Sequence, residues 1–281
     1  MSNGKACFFR KFSLGMDLLV DAAQVLRYFD NFVYDRLEPK RSRLPALFHK
    51  HLRRTCMGYK AVIFDLDGTL LDTLDDLAES GNRVLAAQGM PTHPREAYCY
   101  FVGDGLEMLI RRIVPEDRRD EETIRRLIQE FREVYSRNWN VLSRPYPGVD
   151  DMLEELRRLG LSLAVLSNKP DDFTRHCVQE LLGNHSFVSV LGHRPGVPRK
   201  PAPDGALEIA ETMGLTPADI LYLGDTATDM ETALRAGMTP VGALWGFRTA
   251  DELRQSGAAH LVSHPGEVVE LVRDKTASVQ D

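Results

Sequence analysis

Cysteine is scarce in this 281-residue chain, with four residues at Cys7, Cys56, Cys99 and Cys177. None forms a Cys-x-x-Cys pair and the spacing is irregular. That excludes a disulfide framework or a thiolate zinc site as the organising feature, and fits reduced thiols in a cytoplasmic protein. No apolar run approaches the roughly 20 residues that a bilayer-spanning helix needs. A signal-peptide core is missing too, because Asp17 and Asp21 interrupt the apolar residues near the N-terminus. Internal repeats and low-complexity tracts are absent. Positive charge is short outside the N-terminal region. Residues 1–57 hold 11 Lys/Arg against 5 Asp/Glu, a balance of +6, while the whole chain stands at -6 and the remainder therefore at -12. An acidic body argues against nucleic acid as the main partner. The basic leader reads as a solvated tail ahead of an anion-binding surface.

Hydrophobic residues make up 43% and charged residues 27%, the balance of a globular protein with a sizeable core. The length suits one large domain or two modest ones. In the leader, Leu18, Leu19, Ala22, Val25, Leu26 and Phe29 recur at helical spacing, predicting an amphipathic helix over 16–36. Pro39 and the basic run Lys40-Arg41-Ser42-Arg43 then mark a linker. From Lys60 the pattern changes. Ala61-Val62-Ile63-Phe64 is a short apolar run ending at a carboxylate, and similar runs occupy 163–166, 187–191, 220–223 and 240–244. Helical patterns at 149–159, 171–182, 203–213 and 229–236 separate them. Apolar strands alternating with helices predict an α/β fold with a doubly wound, Rossmann-like parallel sheet covered on both faces. Residues 73–145 break the alternation. They hold no convincing strand and read as helices over 74–88, 104–113 and 121–141. The expected organisation is an extension at 1–57, an α/β core at 58–72 and 146–275, and a helical insert at 73–145.

Ligands of a doubly wound sheet bind beyond the carboxyl ends of its strands. Asp65 and Asp67 follow the first strand. Ser167, Asn168 and Lys169 follow the second, and Gly224, Asp225, Thr226 and Asp229 follow the fourth, with Lys200 just ahead of the preceding helix. Carboxylates gathered at one edge repel and raise one another's pKa values, a conflict that a hard divalent cation removes. A cation beside a lysine and a hydroxyl suits a phosphate dianion, with one carboxylate as nucleophile and a second as proton donor and acceptor. Each feature alone has a plainer reading. Asp-x-Asp is commonly a turn, Gly68-Thr69 a turn and helix cap, Ser167-Asn168 another cap, and Lys200-Pro201 a surface turn. Their joint occurrence in strand–loop–helix order places them on one edge.

Asp65-Leu66-Asp67-Gly68-Thr69-Leu70 resembles the signature of the haloacid dehalogenase-like hydrolase superfamily. Ser167 resembles its second motif, Lys200-Pro201 its third, and Gly224-Asp225 with Asp229 its fourth, so the resemblance covers about 58–275. It implies Asp65 as nucleophile and magnesium ligand. Asp67 would be the acid/base and bind metal through its backbone carbonyl, and Asp225 would be a further metal ligand, with Asp229 supporting the site. Thr69, Ser167 and Asn168 would bind the phosphoryl group, and Lys200 would neutralise its charge. The insert would be a mobile helical cap whose Gly103 and Gly105 approach the substrate. Within the superfamily, the stretches at 71–77, 101–110 and 167–170 resemble the phosphoglycolate phosphatase branch. The implied activity is magnesium-dependent hydrolysis of a small phosphorylated metabolite through an aspartyl-phosphate, in a cytoplasmic monomer or homodimer. A pyrophosphatase or sugar phosphomutase on the same site is the alternative, and a non-catalytic binding protein a lesser one. Many relatives have Thr at the place of Ser167, and Asn at the place of Asp104. The extra charge of Asp104 would disfavour a carboxylate-bearing substrate. Other residues read as structural: His185 and His193 as solvated loop histidines, Trp245-Gly246-Phe247-Arg248 as scaffold in which Arg248 could be exposed, and Cys177 as packing. Arg111 and Arg112 are open between a solvated role and a reach to the substrate's carboxylate.

Overall fold

Residues 58–277 are described by a computed structural model, so the leader helix expected over 16–36 and its basic linker lie outside the described residues. Strand β1 (Ala61–Phe64) is buried along its whole length and runs through a tight turn into the two-residue β2 (Leu71–Asp72). Four helices follow: α1 (Leu74–Ala87), α2 (Arg95–Phe101), α3 (Leu106–Ile113) and α4 (Glu121–Asn138). The chain returns through β3 (Arg144–Pro145), antiparallel to β2, so the two connections between the helices and the sheet lie side by side. Strict alternation then begins with α5 (Val149–Arg158), β4 (Ser162–Pro170), α6 (Asp171–Leu181), β5 (Ser189–His193) and α7 (Asp204–Met213). It continues through β6 (Ile220–Gly224), α8 (Ala227–Ala236), β7 (Thr239–Ala243), α9 (Ala250–Gln255), β8 (His260–Val262) and α10 (Gly266–Ala277).

Six strands form one parallel sheet in the order β5-β4-β1-β6-β7-β8. Side chains alternate across it. Val62 and Phe64 pack with Val149 and Leu153 of α5 and Val268 of α10, whereas Ala61 and Ile63 pack with Ile209 of α7 and Ala233 of α8. Cover on both faces explains why the strands read as continuous apolar runs. β1 lies centrally, with Phe64 opposite Val165 of β4 and Leu223 of β6. The connections leave it in opposite directions, and such a reversal opens a crevice at the strands' carboxyl ends. Asp65 is the first residue past β1.

Among the inserted helices, α4 starts at Asp120, whose carboxylate accepts from Thr123 N at 2.9 Å. Its buried face carries Ile124, Leu127, Phe131 and Tyr135, a helical stripe turned inward. The structure adds four short elements that the sequence pattern does not reveal, the two-residue β2 among them. β3 is a strand inside the stretch expected to hold none, because backbone pairing with β2 defines it and two residues leave no hydrophobic period. α2 is too short, at seven residues, for periodicity to reveal it. β8 is three residues long and only Leu261 and Val262 are apolar, so it gave no strand signal.

Candidate active site

The turn after β1 is wound on a single carbonyl. Leu66 O accepts from the amides of Thr69, Leu70 and Leu71 at 3.3, 3.0 and 2.9 Å. Gly68 completes it at φ +90°, and a Cβ there would sit 2.4 Å from Asp225 Oδ2. Only glycine fits both the backbone and the gap. The turn thereby carries Asp65 and Asp67 to the sheet edge and presses the loop onto Asp225.

A buried charge cluster results. Lys200 Nζ lies 2.8 Å from Asp65 Oδ1 and 2.7 Å from Asp229 Oδ1. Carboxylate oxygens of Asp65, Asp225 and Asp229 all lie within 4.8 Å of one another. Burial first, then the charge of Asp229, push Asp65 up to about 7 against the pull of Lys200. Burial and the charges of Asp229 and Asp65 also raise Asp225 well above the carboxylate range. For Lys200, burial opposes the charge, yet Asp229 and Asp65 outweigh it and raise its pKa. One ammonium cannot balance three ionised carboxylates, and the raised pKa values of Asp65 and Asp225 express that conflict. Asp65 Oδ1 has the Lys200 ammonium as its neighbour at 2.8 Å. A buried, oxygen-only cluster of three carboxylates could hold a hard divalent cation. Asp229 is the least available of the three. Its Oδ2 accepts from Thr226 N and Oγ1 at 3.1 and 2.6 Å while Oδ1 takes Lys200, so it caps α8 and orients the lysine.

The side chains of Thr69 and Asn168, both expected at the phosphoryl group, are engaged with neighbouring residues. The Thr69 hydroxyl is fully buried and donates to Asp225 Oδ1 at 3.0 Å, fixing that carboxylate. The Asn168 amide donates to Lys200 O and Gly103 O, both at 3.1 Å, and its Oδ1 accepts from Lys200 N at 2.9 Å. Each side chain thereby holds a neighbouring loop in place. The Ser167 hydroxyl accepts from Lys169 N at 3.2 Å and keeps its own proton for another acceptor. Asp67 Oδ1 accepts from Thr73 Oγ1 at 2.7 Å and from Lys169 Nζ at 2.9 Å.

The loop from α2 to α3 comes down on this edge. Gly103 and Gly105 have φ +120° and +87°, and a Cβ on Gly105 would sit 3.0 Å from Asn168 O. The glycines thus admit close contact with the sheet edge itself. Asp104 between them pairs with Arg112 and accepts from Thr228 Oγ1 at 2.8 Å. Burial alone would raise its pKa, but these partners outweigh it and hold the carboxyl below its usual range. Asp104 is therefore held ionised and paired with Arg112. Arg111 pairs with Glu107 and Glu121, and Arg112 also donates to Phe101 O, so both guanidinium groups are engaged within the inserted helices. Arg248 has a side chain only 9% exposed and donates to the carbonyls of Cys99 and Val102, a scaffold role. It ties the loop after β7 to α2. Trp245 Nε1 donates to Thr69 O at 2.9 Å, supporting the Asp65 turn, and Cys177 is fully buried.

Lys169 and Tyr135 had no role assigned from the sequence. Lys169 Nζ lies 2.9 Å from Tyr135 Oη as well as against Asp67. Lys169 follows Ser-Asn at a strand end, which is a usable signal. Tyr135 sits on a buried helical face, where packing is the ordinary reading. Beyond the carboxylates the cleft is walled by apolar side chains, among them Leu106, Leu109, Phe131 and Phe173.

Lys200→Met is expected to destabilise the metal-free protein by about 3 kcal/mol, since it leaves buried carboxylates unpaired. Urea unfolding checks this, and added divalent cation should recover part of the loss.

Residues 62–243 match the family described as haloacid dehalogenase-like hydrolase. A phosphoglycolate phosphatase of Xylella fastidiosa is 34% identical over 214 residues, spanning 73% of this chain and 92% of the relative. One from Psychrobacter arcticus is 32% identical over 205 residues, spanning 71% and 89%. The crystal structure of a predicted phosphoglycolate phosphatase from Haemophilus somnus superposes with a TM-score of 0.70 at 28% identity, covering 76% of this chain and 97% of that one.

Proposed function

Because the chain belongs to the haloacid dehalogenase-like hydrolase family, we propose that it is a magnesium-dependent phosphomonoesterase acting on a small alkyl phosphate, with phosphoglycolate as the leading substrate. The observation that carries this reading is the buried set of Asp65, Asp225 and Lys200, with Asp67 one turn away on the same loop. The substrate follows the activity given to the relatives in Xylella and Psychrobacter.

The steps follow from the residues. Asp65 Oδ attacks phosphorus, the ester P–O bond breaks, and Asp67 protonates the departing alkoxide. Water then attacks the phosphorus of the aspartyl-phosphate, Asp67 takes its proton, and inorganic phosphate leaves with Asp65 restored. Ser167 donates to a phosphoryl oxygen, and Lys200 balances charge on Asp65 and the transferred group. Asp65, Asp225 and the Asp67 carbonyl would hold Mg2+, whose charge offsets the carboxylates and the phosphoryl oxygens. Thr69 and Asn168 keep Asp225 and Lys200 in place. The helices α1–α4 act as a cap over the apolar cleft, hinged at β2 and β3, and exclude water during the first transfer. No helix among the described residues is long and apolar enough to cross a membrane. The free thiols Cys99 and Cys177 support a cytoplasmic setting.

Phosphate release from a panel of small phosphate esters, with and without Mg2+, tests the reading. Phosphoglycolate should be among the best substrates, with pyrophosphate and hexose phosphates far poorer. Isomerisation of a hexose phosphate without net phosphate release would replace the hydrolase with a mutase.

A further inference from the structure

One ammonium group joins the two halves of the site. Lys169, at the end of β4, places Nζ 2.9 and 3.1 Å from the carboxylate oxygens of Asp67. The same Nζ donates to Tyr135 Oη at 2.9 Å, and Tyr135 belongs to α4 in the inserted helices. The lysine side chain is 4% exposed, and that of Asp67 12%. The Tyr135 ring is wedged between Phe131, stacked at 5.5 Å, and Phe173 of α6, edge-on at 5.2 Å. Its hydroxyl position is thereby fixed relative to the sheet. Thr73, the residue between β2 and α1, also donates from Oγ1 to Asp67 Oδ1 at 2.7 Å.

We propose that Lys169 is a positioning residue for the proton-transferring carboxylate: it locks the Asp67 side chain against the scissile bond, and it does so only while α4 brings Tyr135 down onto it. This deepens the phosphomonoesterase reading and rests on it. A carboxylate on a turn has rotamer freedom that would let it leave the leaving-group oxygen. Thr73 and Lys169 restrain it together, both at Oδ1 and Lys169 also at Oδ2. Thr73 sits at the hinge and Lys169 on the sheet, so the Asp67 geometry is complete when the helices are closed and incomplete when they open. The lysine is thus taken up by Asp67 and Tyr135, and is a link in the acid/base apparatus more than a docking point for substrate.

The signature is the dependence on leaving group. An alkoxide needs its proton delivered as it leaves, whereas nitrophenolate leaves without one. The test measures kcat/KM for phosphoglycolate, ethyl phosphate and p-nitrophenyl phosphate in the wild type, Lys169→Met, Tyr135→Phe and Asp67→Asn. Lys169→Met should lose about 100-fold on both alkyl phosphates and less than about 5-fold on p-nitrophenyl phosphate. Tyr135→Phe keeps the ring packing and should show the same pattern at about 10-fold. It carries the test if Lys169→Met does not fold. A loss confined to phosphoglycolate would overturn the proposal by making Lys169 a partner of the substrate carboxylate. Equal losses on all three substrates, or none, would overturn it as well. If the wild type releases phosphate from none of the three, the phosphomonoesterase reading itself fails, which is a different result from a wild type with normal activity and unchanged variants.

Discussion

Asp65→Asn is expected to abolish phosphate release, by on the order of 10⁴-fold or more, while leaving the metal-free protein at least as stable as the wild type. The first half follows from the lost nucleophile, since an amide oxygen cannot form the aspartyl-phosphate. The second follows from the electrostatics. Burial and the charge of Asp229 push Asp65 up to about 7 from 3.8. The folded state therefore holds that proton more tightly than the unfolded chain does. Ionised Asp65 weakens the metal-free fold, increasingly as the pH rises from about 4 towards 7. The amide is nearly isosteric and carries no charge, so its melting midpoint at neutral pH should equal or exceed that of the wild type. Activity and thermal melting of the two proteins, side by side without divalent ion, check both halves. A dead variant that also melts far lower would point to misfolding.

The second large effect concerns the acidic cluster. Chelation should lower the rate by about 10³-fold or more, and Mg2+ should restore it. A ligand bound by the folded state alone stabilises it. Saturating Mg2+ should therefore raise the wild-type melting midpoint by about 5 °C. Asp225→Asn should lose both responses. The Asp225 oxygens are held by Thr69 Oγ1 at 3.0 Å and Phe247 N at 2.8 Å, so the carboxylate is aimed before any cation arrives. An amide there keeps the shape and loses the charge. Thermal melts across a Mg2+ titration separate the two proteins. An unshifted wild type would remove the metal from the account.

The architecture was legible where hydrophobicity alone defines an element. β1, β4 and β6 are buried on both faces, and their runs could be read directly as strands of a covered parallel sheet. The order of those strands also put Asp65, Ser167, Lys200 and Asp225 on one edge. β2 and β3 were not legible, because a two-residue strand exists through its partner's backbone and has no period of its own. The side-chain assignments were harder still. Asn168 and Thr69 carry polar groups suited to a phosphate, and only the folded chain brings those side chains against Lys200 and Asp225. Asp104 looked like a surplus charge because its partners, Arg112 and Thr228, lie 8 and 124 residues away. Tyr135 was indistinguishable from packing, since a tyrosine on a buried stripe declares its hydroxyl partner only in three dimensions. Composition and order located the edge, while the partners of each group depended on distances that no spacing encodes.

The most direct test of Asp65 as nucleophile is to trap its phosphorylated form. Protein mixed with Mg2+ and ³²P-labelled substrate is quenched in acid during turnover, digested, and the labelled peptide sequenced by mass spectrometry. The account predicts label on the Asp65 carboxylate, released by hydroxylamine as an acyl phosphate is, and absent from Asp65→Asn. Full turnover with no label on Asp65, together with activity retained in Asp65→Asn, would contradict it.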